Sequence, residues 1–147
     1  MIDDLAHEVG NRYTFQEIHN HLKASLEPPW EIIQRAGQII GLRLRYPINS
    51  EVASALRYFH SPTTHDPKSW DVQVWVGSDS QIAEWGLRLY QCKSPLHLYV
   101  APDVEEDSFV YHGSFEVLPR KYTRDELAKA EYLWQLKQPL SQIIYLR

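Results

Sequence analysis

The sequence predicts an α+β fold in one domain over residues 1–147. Three observations carry that reading. Capping boxes open three amphipathic stretches, short β-branched or alternating runs lie between them, and glycines, prolines and aromatics mark the joins. A chain of 147 residues is long enough to bury one core and too short for several. Within it, residues 1–12 read as a flexible or partner-docking segment, because Ile2, Leu5 and Val9 fall at spacings of three and four.

The first predicted helix starts at Thr14-Phe15-Gln16-Glu17, where Thr14 and Glu17 satisfy each other's orphan amides. Phe15, Ile18 and Leu22 give it an apolar face, and Glu27-Pro28-Pro29 is the expected stop. Residues 39–45 predict a strand with leucines on one side and arginines on the other, ended by Pro47. Residues 50–58 suit a short helix, and 61–68, with Pro62 and Pro67, suit a loop. Residues 72–76 form the next strand, and Gly77 turns it into a helix expected to be capped by Ser78 with Gln81. Ile82, Trp85, Leu89 and Cys92 share one stripe of that helix, and Gly86 within it marks close packing. Strands follow at 96–100 and 108–117, joined through an acidic turn at 103–107. Thr123-Arg124-Asp125-Glu126 opens a third helix whose end is open, since 131–137 suits helix or strand. Residues 142–146 close the chain as a buried strand.

Composition excludes several classes of function. The net charge is -4, unevenly spread: residues 1–34 carry six acids against two bases, while 35–68 carry five bases against two acids. That is not the basic domain of a strong nonspecific nucleic-acid binder, although a local basic face fits the segment 35–68. Five Trp and nine Tyr are more than ordinary; many sit in apolar runs that suit the core, and the surplus also suits a binding surface. The lone Cys92 rules out an intrachain disulfide and fits a reducing compartment. No apolar run reaches about 18 residues, and the acidic start Met1-Ile2-Asp3-Asp4 is unlike a signal peptide. The expected location is therefore the cytoplasm, with no membrane association.

A family resemblance rests on short motifs in order. They are Ile18-His19 in the first helix, Gly-x-Ile-x-x-Leu-x-Leu-Arg from Gly37 to Arg45 with Asn49 after it, and Val-x-Val-Gly from Val74 to Gly77. Pro-Leu-His-Leu-Tyr-Val from Pro95 to Val100 and Tyr-x-Gly-x-Phe-x-Val from Tyr111 to Val117 complete the series. The chain resembles, over roughly residues 12–147, the SRA-like (YDG-like) domains found beside HNH nucleases in prokaryotic modification-dependent restriction systems. The resemblance implies a curved mixed sheet or partly closed PUA-like barrel flanked by helices. It also implies DNA as partner, a modified base read in an aromatic pocket, and a restriction or phage-defence setting. Only Gly77 and Asp79 match the glycine-rich, acidic join of that family, and no HNH pattern follows, so the resemblance places any nuclease on a separate chain.

Eight residues are candidate nucleic-acid contacts, each with a structural alternative. Arg43, Arg45, Tyr46 and Asn49 could meet phosphate or a base edge, or form a solvated strand end and turn. Trp75 and Tyr111 could stack on a base or fill the core. Asp79 could accept an exocyclic amine or serve at the helix start, and His112 could read a polar edge or stand exposed on its strand. No metal site is expected. His60, His65 and Asp66 lack a ligand spacing, and His19 and His21, two apart on a helix, point to different faces. No cofactor loop or nucleophile–base set is legible, and Cys92 at a helix C-terminus is poorly placed for activation. The function expected is a noncatalytic reader of nucleic acid. A protein-interaction module and a small hydrolase or base-processing enzyme are the alternatives.

Overall fold

The structure, a computed structural model, describes residues 7–26, 31–45, 59–60, 72–101, 108–133 and 140–147. Along the chain these form β1 (Arg12–Thr14), α1 (Phe15–Leu22), β2 (Ile32–Arg35), β3 (Gln38–Arg45), β4 (Phe59–His60) and β5 (Val72–Gly77). They continue with α2 (Ser80–Tyr90), β6 (Leu96–Ala101), β7 (Ser108–Phe115), α3 (Arg124–Leu133) and β8 (Leu140–Leu146).

The fold is α+β, with a curved mixed sheet flanked by helices, as the sequence predicts. A five-stranded sheet runs β1-β7-β6-β3-β2, and a three-stranded sheet runs β4-β5-β8. Among the described residues, β3 and β6 pair in parallel and the other pairs are antiparallel. Register shifts at Ile33/Gln34, Leu98/Tyr99 and Val76/Gly77 sharpen the local twist. Past its end, β7 crosses to the other sheet. Glu116 and Arg147 exchange backbone hydrogen bonds of 2.9 and 3.0 Å, and Leu118 N–H donates to Tyr145 C=O at 2.8 Å. Those bonds join the two sheets at a corner, and the five-stranded sheet is itself curled into a half-barrel.

Strand alternation gives each sheet two apolar faces. Leu42, Leu44, Leu96, Leu98 and Val100 meet Val72, Val74, Val76, Ile144 and Leu146 between the sheets, with Ile82 and Leu89 of α2 closing the edge. On the opposite face of the five-stranded sheet, Ile33, Tyr99, Ala101, Phe109 and Tyr111 receive Ile18 and Leu22 of α1. Outside the smaller sheet, Trp75, Leu140, Ile143 and Tyr145 pack on Ala130 of α3. Among the described residues, no helix is long and apolar enough to cross a membrane.

Several sequence expectations change in detail. The Thr14 and Thr123 boxes form with both reciprocal bonds. The second helix begins one residue later than expected: Asp79, not Ser78, is its cap, with Oδ1 accepting from Gln81 N–H at 3.0 Å and Ile82 N–H at 3.3 Å. Aspartate and serine cap comparably well, and the non-helical backbone at Asp79, φ -54° and ψ 136°, sets the boundary there. The first helix ends well before Pro28, at Leu22, because Lys23 adopts φ 53° and Ala24 N–H returns to His19 C=O. Strands β1 and β2 were not anticipated; Ala36 and Gly37, at φ 53° and 79°, form the tight turn between β2 and β3. The third helix continues to Leu133. The expected helix at 50–58, the 61–68 loop, the 103–107 turn and residues 134–137 lie outside the described residues.

Gly86 is where α2 crosses β8. A Cβ there would collide with the Gln142 carboxamide and stand 2.9 Å from Val76 Cγ1. That carboxamide is engaged, donating to Ala83 C=O at 3.0 Å.

Candidate binding site

The site grows from the face of the five-stranded sheet that α1 covers. Alternation along β6 sends His97 and Tyr99 to that face, and β7 adds Phe109 and Tyr111 beside them. The capping box at Thr14 sets the start of α1, which directs Ile18 and Leu22 inward and leaves His21 at the edge. Tyr13 comes from β1, held to β7 by its pairing with Phe109.

His7 completes the cluster from the segment preceding β1. Its ring stacks on Tyr13 at 3.6 Å and 14° and on His21 at 4.1 Å and 25°. Below it, Nδ1 lies 2.7 Å from the Tyr99 hydroxyl, whose ring it meets edge-on at 89°. A second imidazole–phenol pair adjoins the first: His97 Nδ1 is 2.8 Å from the Tyr111 hydroxyl. The Tyr99 and Tyr111 rings are 4.8 Å apart, which makes one continuous network of aromatic faces and polar atoms.

Burial shifts four of these groups, His7, His97, Tyr99 and Tyr111, toward their neutral forms. It lowers the His7 pKa to about 4, aided by the charges of His21 and His97 and opposed by Glu17. Burial also lowers His97, with His21 and Arg35 adding to the effect. It raises Tyr99, with Tyr111 and Tyr13 contributing, and raises Tyr111, with Tyr13 contributing. At neutral pH the imidazoles of His7 and His97 are therefore neutral and these phenols keep their protons. Such a lining offers stacking surfaces and neutral donors and acceptors. It is chemically matched to a planar, uncharged heterocycle rather than to a phosphate. A phenol held above its ordinary pKa is a poor nucleophile. Among the described residues, no group of three or more His, Cys, Asp or Glu is placed to hold a metal ion.

The sequence-selected residues scatter. Among the described ones, Tyr111 sits in this cluster. Arg43 shares the sheet face but is 5% exposed, its guanidinium 4.1 Å from the Phe15 ring centre and 5.3 Å from that of Phe109. His19 stacks on the far side of the same Phe15 at 4.2 Å, its pKa lowered by burial and then by the Arg43 charge. Arg43, expected to meet nucleic acid or solvent, instead lies in the floor under α1. Trp75 is 3% exposed in the core beneath α3, its indole N–H donating to Gln73 at 3.0 Å. Asp79 is exposed and engaged in capping α2. His112 is half-buried on β7. The Arg45 side chain, Tyr46 and Asn49 lie outside the described residues. β3, which bears the arginines, is separated from β7 by β6.

Sequence reasoning missed His7, Tyr13, His21, His97 and Tyr99 as partners. One signal was visible, the His97-x-Tyr99 alternation, which places both side chains on one strand face. Comparison with protein-family models, curated proteins and solved structures gave no match.

Proposed function

We propose that this chain is a noncatalytic reader of nucleic acid that recognises DNA carrying a modified base, in a restriction or phage-defence setting. The observation that carries the reading is the cluster of aromatic and imidazole rings built from Tyr13, His21, His97, Tyr99 and Tyr111 on the curved sheet. Stacking of a base on such rings is worth on the order of 1–3 kcal/mol, and the phenol and imidazole edges supply hydrogen-bond discrimination. The resemblance to SRA-like domains and the local excess of bases in residues 35–68 support the same reading.

The test is a fluorescence-anisotropy titration of plain and methylated duplexes at 50 and 200 mM salt. Binding that weakens with salt and favours one modified duplex is the expected outcome. No salt-dependent binding to any duplex would overturn it.

A second reading, partner docking, draws on a different observation. A cleft of about 550 Å³ lies between α2 and β8, lined by Leu87, Tyr90, Tyr122 and Ile143, and Leu87 is 57% exposed. A Leu87→Asp variant that loses an assembly seen by size-exclusion chromatography would favour this reading.

A further inference from the structure

We infer that His7 is a built-in occupant of the base-binding slot: its imidazole fills the space between Tyr13 and His21 that a planar nitrogen heterocycle would take, and it must leave before that ligand binds. The inference rests on the proposed reading of the cleft and adds how access to it is controlled.

Geometry supplies the first argument. Stacking on both faces, at 3.6 and 4.1 Å and within 25° of parallel, is the arrangement of an intercalated base. The in-plane contact of Nδ1 with the Tyr99 hydroxyl is the contact a ring nitrogen or exocyclic group of a base would make. Tyr13 and His21 belong to β1 and α1, both anchored in the sheet packing, so the walls of the slot do not depend on the ring between them.

His7 is also lightly tethered among the described residues. The turn that carries it bends at Gly10, φ +93°, and Val9 is 53% exposed. Several of its hydrogen bonds are internal or at its own edge: Asn11 N–H to Glu8 C=O, Asn11 Nδ2 to Glu8, and Glu8 N–H to the Tyr13 hydroxyl. Gly10 N–H to Tyr111 C=O at 2.8 Å is its bond to the sheet ahead of Asn11. A segment with few buried apolar contacts opens at low free energy compared with the core. Gly10 is the position where a change of backbone direction is sterically cheapest.

Opening exposes a slot whose polar and aromatic groups are already arranged. Ligand and His7 then compete for one space. Removing the imidazole removes the competitor, so the apparent affinity rises by the inverse of the open fraction.

The experiment titrates the full chain with two probes, adenosine and 5-methyldeoxycytidine, followed by side-chain NMR shifts of Tyr13 and His21. His7→Ala should bind at least one probe about tenfold more tightly than the wild type, the gain expected when the occupied state prevails by that ratio. Adding Tyr13→Ala to His7→Ala should abolish that binding, while circular dichroism checks that each variant is folded. Equal affinity of wild type and His7→Ala, or a double variant that binds as well as His7→Ala, overturns the inference. Should His7→Ala fail to fold, the wild type serves. A saturating probe should free His7 and return its imidazole titration to the ordinary range, and a His7 ring that keeps its shifts overturns the inference. Parallel titration with methylated duplex separates the two readings. Duplex binding without any gain in His7→Ala defeats the slot inference alone. Nucleoside binding without duplex binding defeats the DNA-reader reading alone.

Discussion

Replacing His7 with asparagine leaves a planar group that can still meet the Tyr99 hydroxyl but removes a titratable ring whose proton affinity the fold suppresses. The folded pKa of about 4 lies below the ordinary histidine value of 6.5, so between these values the unfolded chain binds more protons than the folded one. Stability must therefore fall as pH drops through that window, with His7 contributing no slope above about 6.5 or below about 4. The groups facing the ring are Tyr13 of β1, Glu17 and His21 of α1, His97 and Tyr99 of β6, and Tyr111 of β7. Complete linkage over the window would amount to about 3 kcal/mol. Solvent reaches part of the ring and screens its neighbours' charges, which reduces the expectation to about 1–2 kcal/mol. For a chain of this size that corresponds to roughly 3–8 °C in Tm. The assay is thermal unfolding by circular dichroism at steps from pH 7.5 to pH 3.5 for wild type and His7→Asn. His19 and His97, also lowered, add slopes of the same sign to both proteins and cancel in the difference. Parallel curves would refute the argument, because they would mean that folding leaves His7 with its ordinary proton affinity.

Three further predictions address the scaffold. Asp79→Ala should destabilise by about 1 kcal/mol in urea denaturation while Ser78→Ala changes little; the reverse order would restore Ser78 as the cap. Gly86→Ala should destabilise by about 1–3 kcal/mol in the same assay, although alanine is the better helix former, because the added Cβ collides with Gln142 and Val76; a stabilised variant would refute the close approach. Ile18→Ala should lose about 2–5 kcal/mol, since Ile18 is fully buried between α1 and the sheet, and a loss under 1 kcal/mol would mean that α1 is not docked there.

The parts legible in the chain are those governed by neighbours in sequence. The Thr14 and Thr123 boxes join residues three apart, so both were readable and both form. Strands β5, β6, β7 and β8 were readable from short runs of period two or continuous β-branched residues. β2 escaped because its turn uses Ala36 at positive φ, where glycine or asparagine would have signalled a hairpin. Ser78 stood in for Asp79 because both are good caps and adjacent, and only the backbone entering α2 chooses between them.

Alternation told which side of β3 carries Arg43, but not that this side is covered. An alternating strand has two faces, and whether the second meets water or a helix depends on where α1 docks. Hence Arg43 lies between Phe15 and Phe109 rather than in solvent. The cluster depends still more on long range. His7 and Tyr99 stand 92 residues apart, and they meet because β1 pairs with β7, β7 with β6, and α1 caps that face. The sequence by itself determined the helix starts at Thr14 and Thr123, the strand alternation and the α+β class, since each follows from backbone hydrogen bonding and side-chain period over a few residues. Which rings gather into a site, which of them lose their charge, and which arginine is buried were decided only by tertiary structure, because packing and desolvation act between residues that the chain order does not bring together.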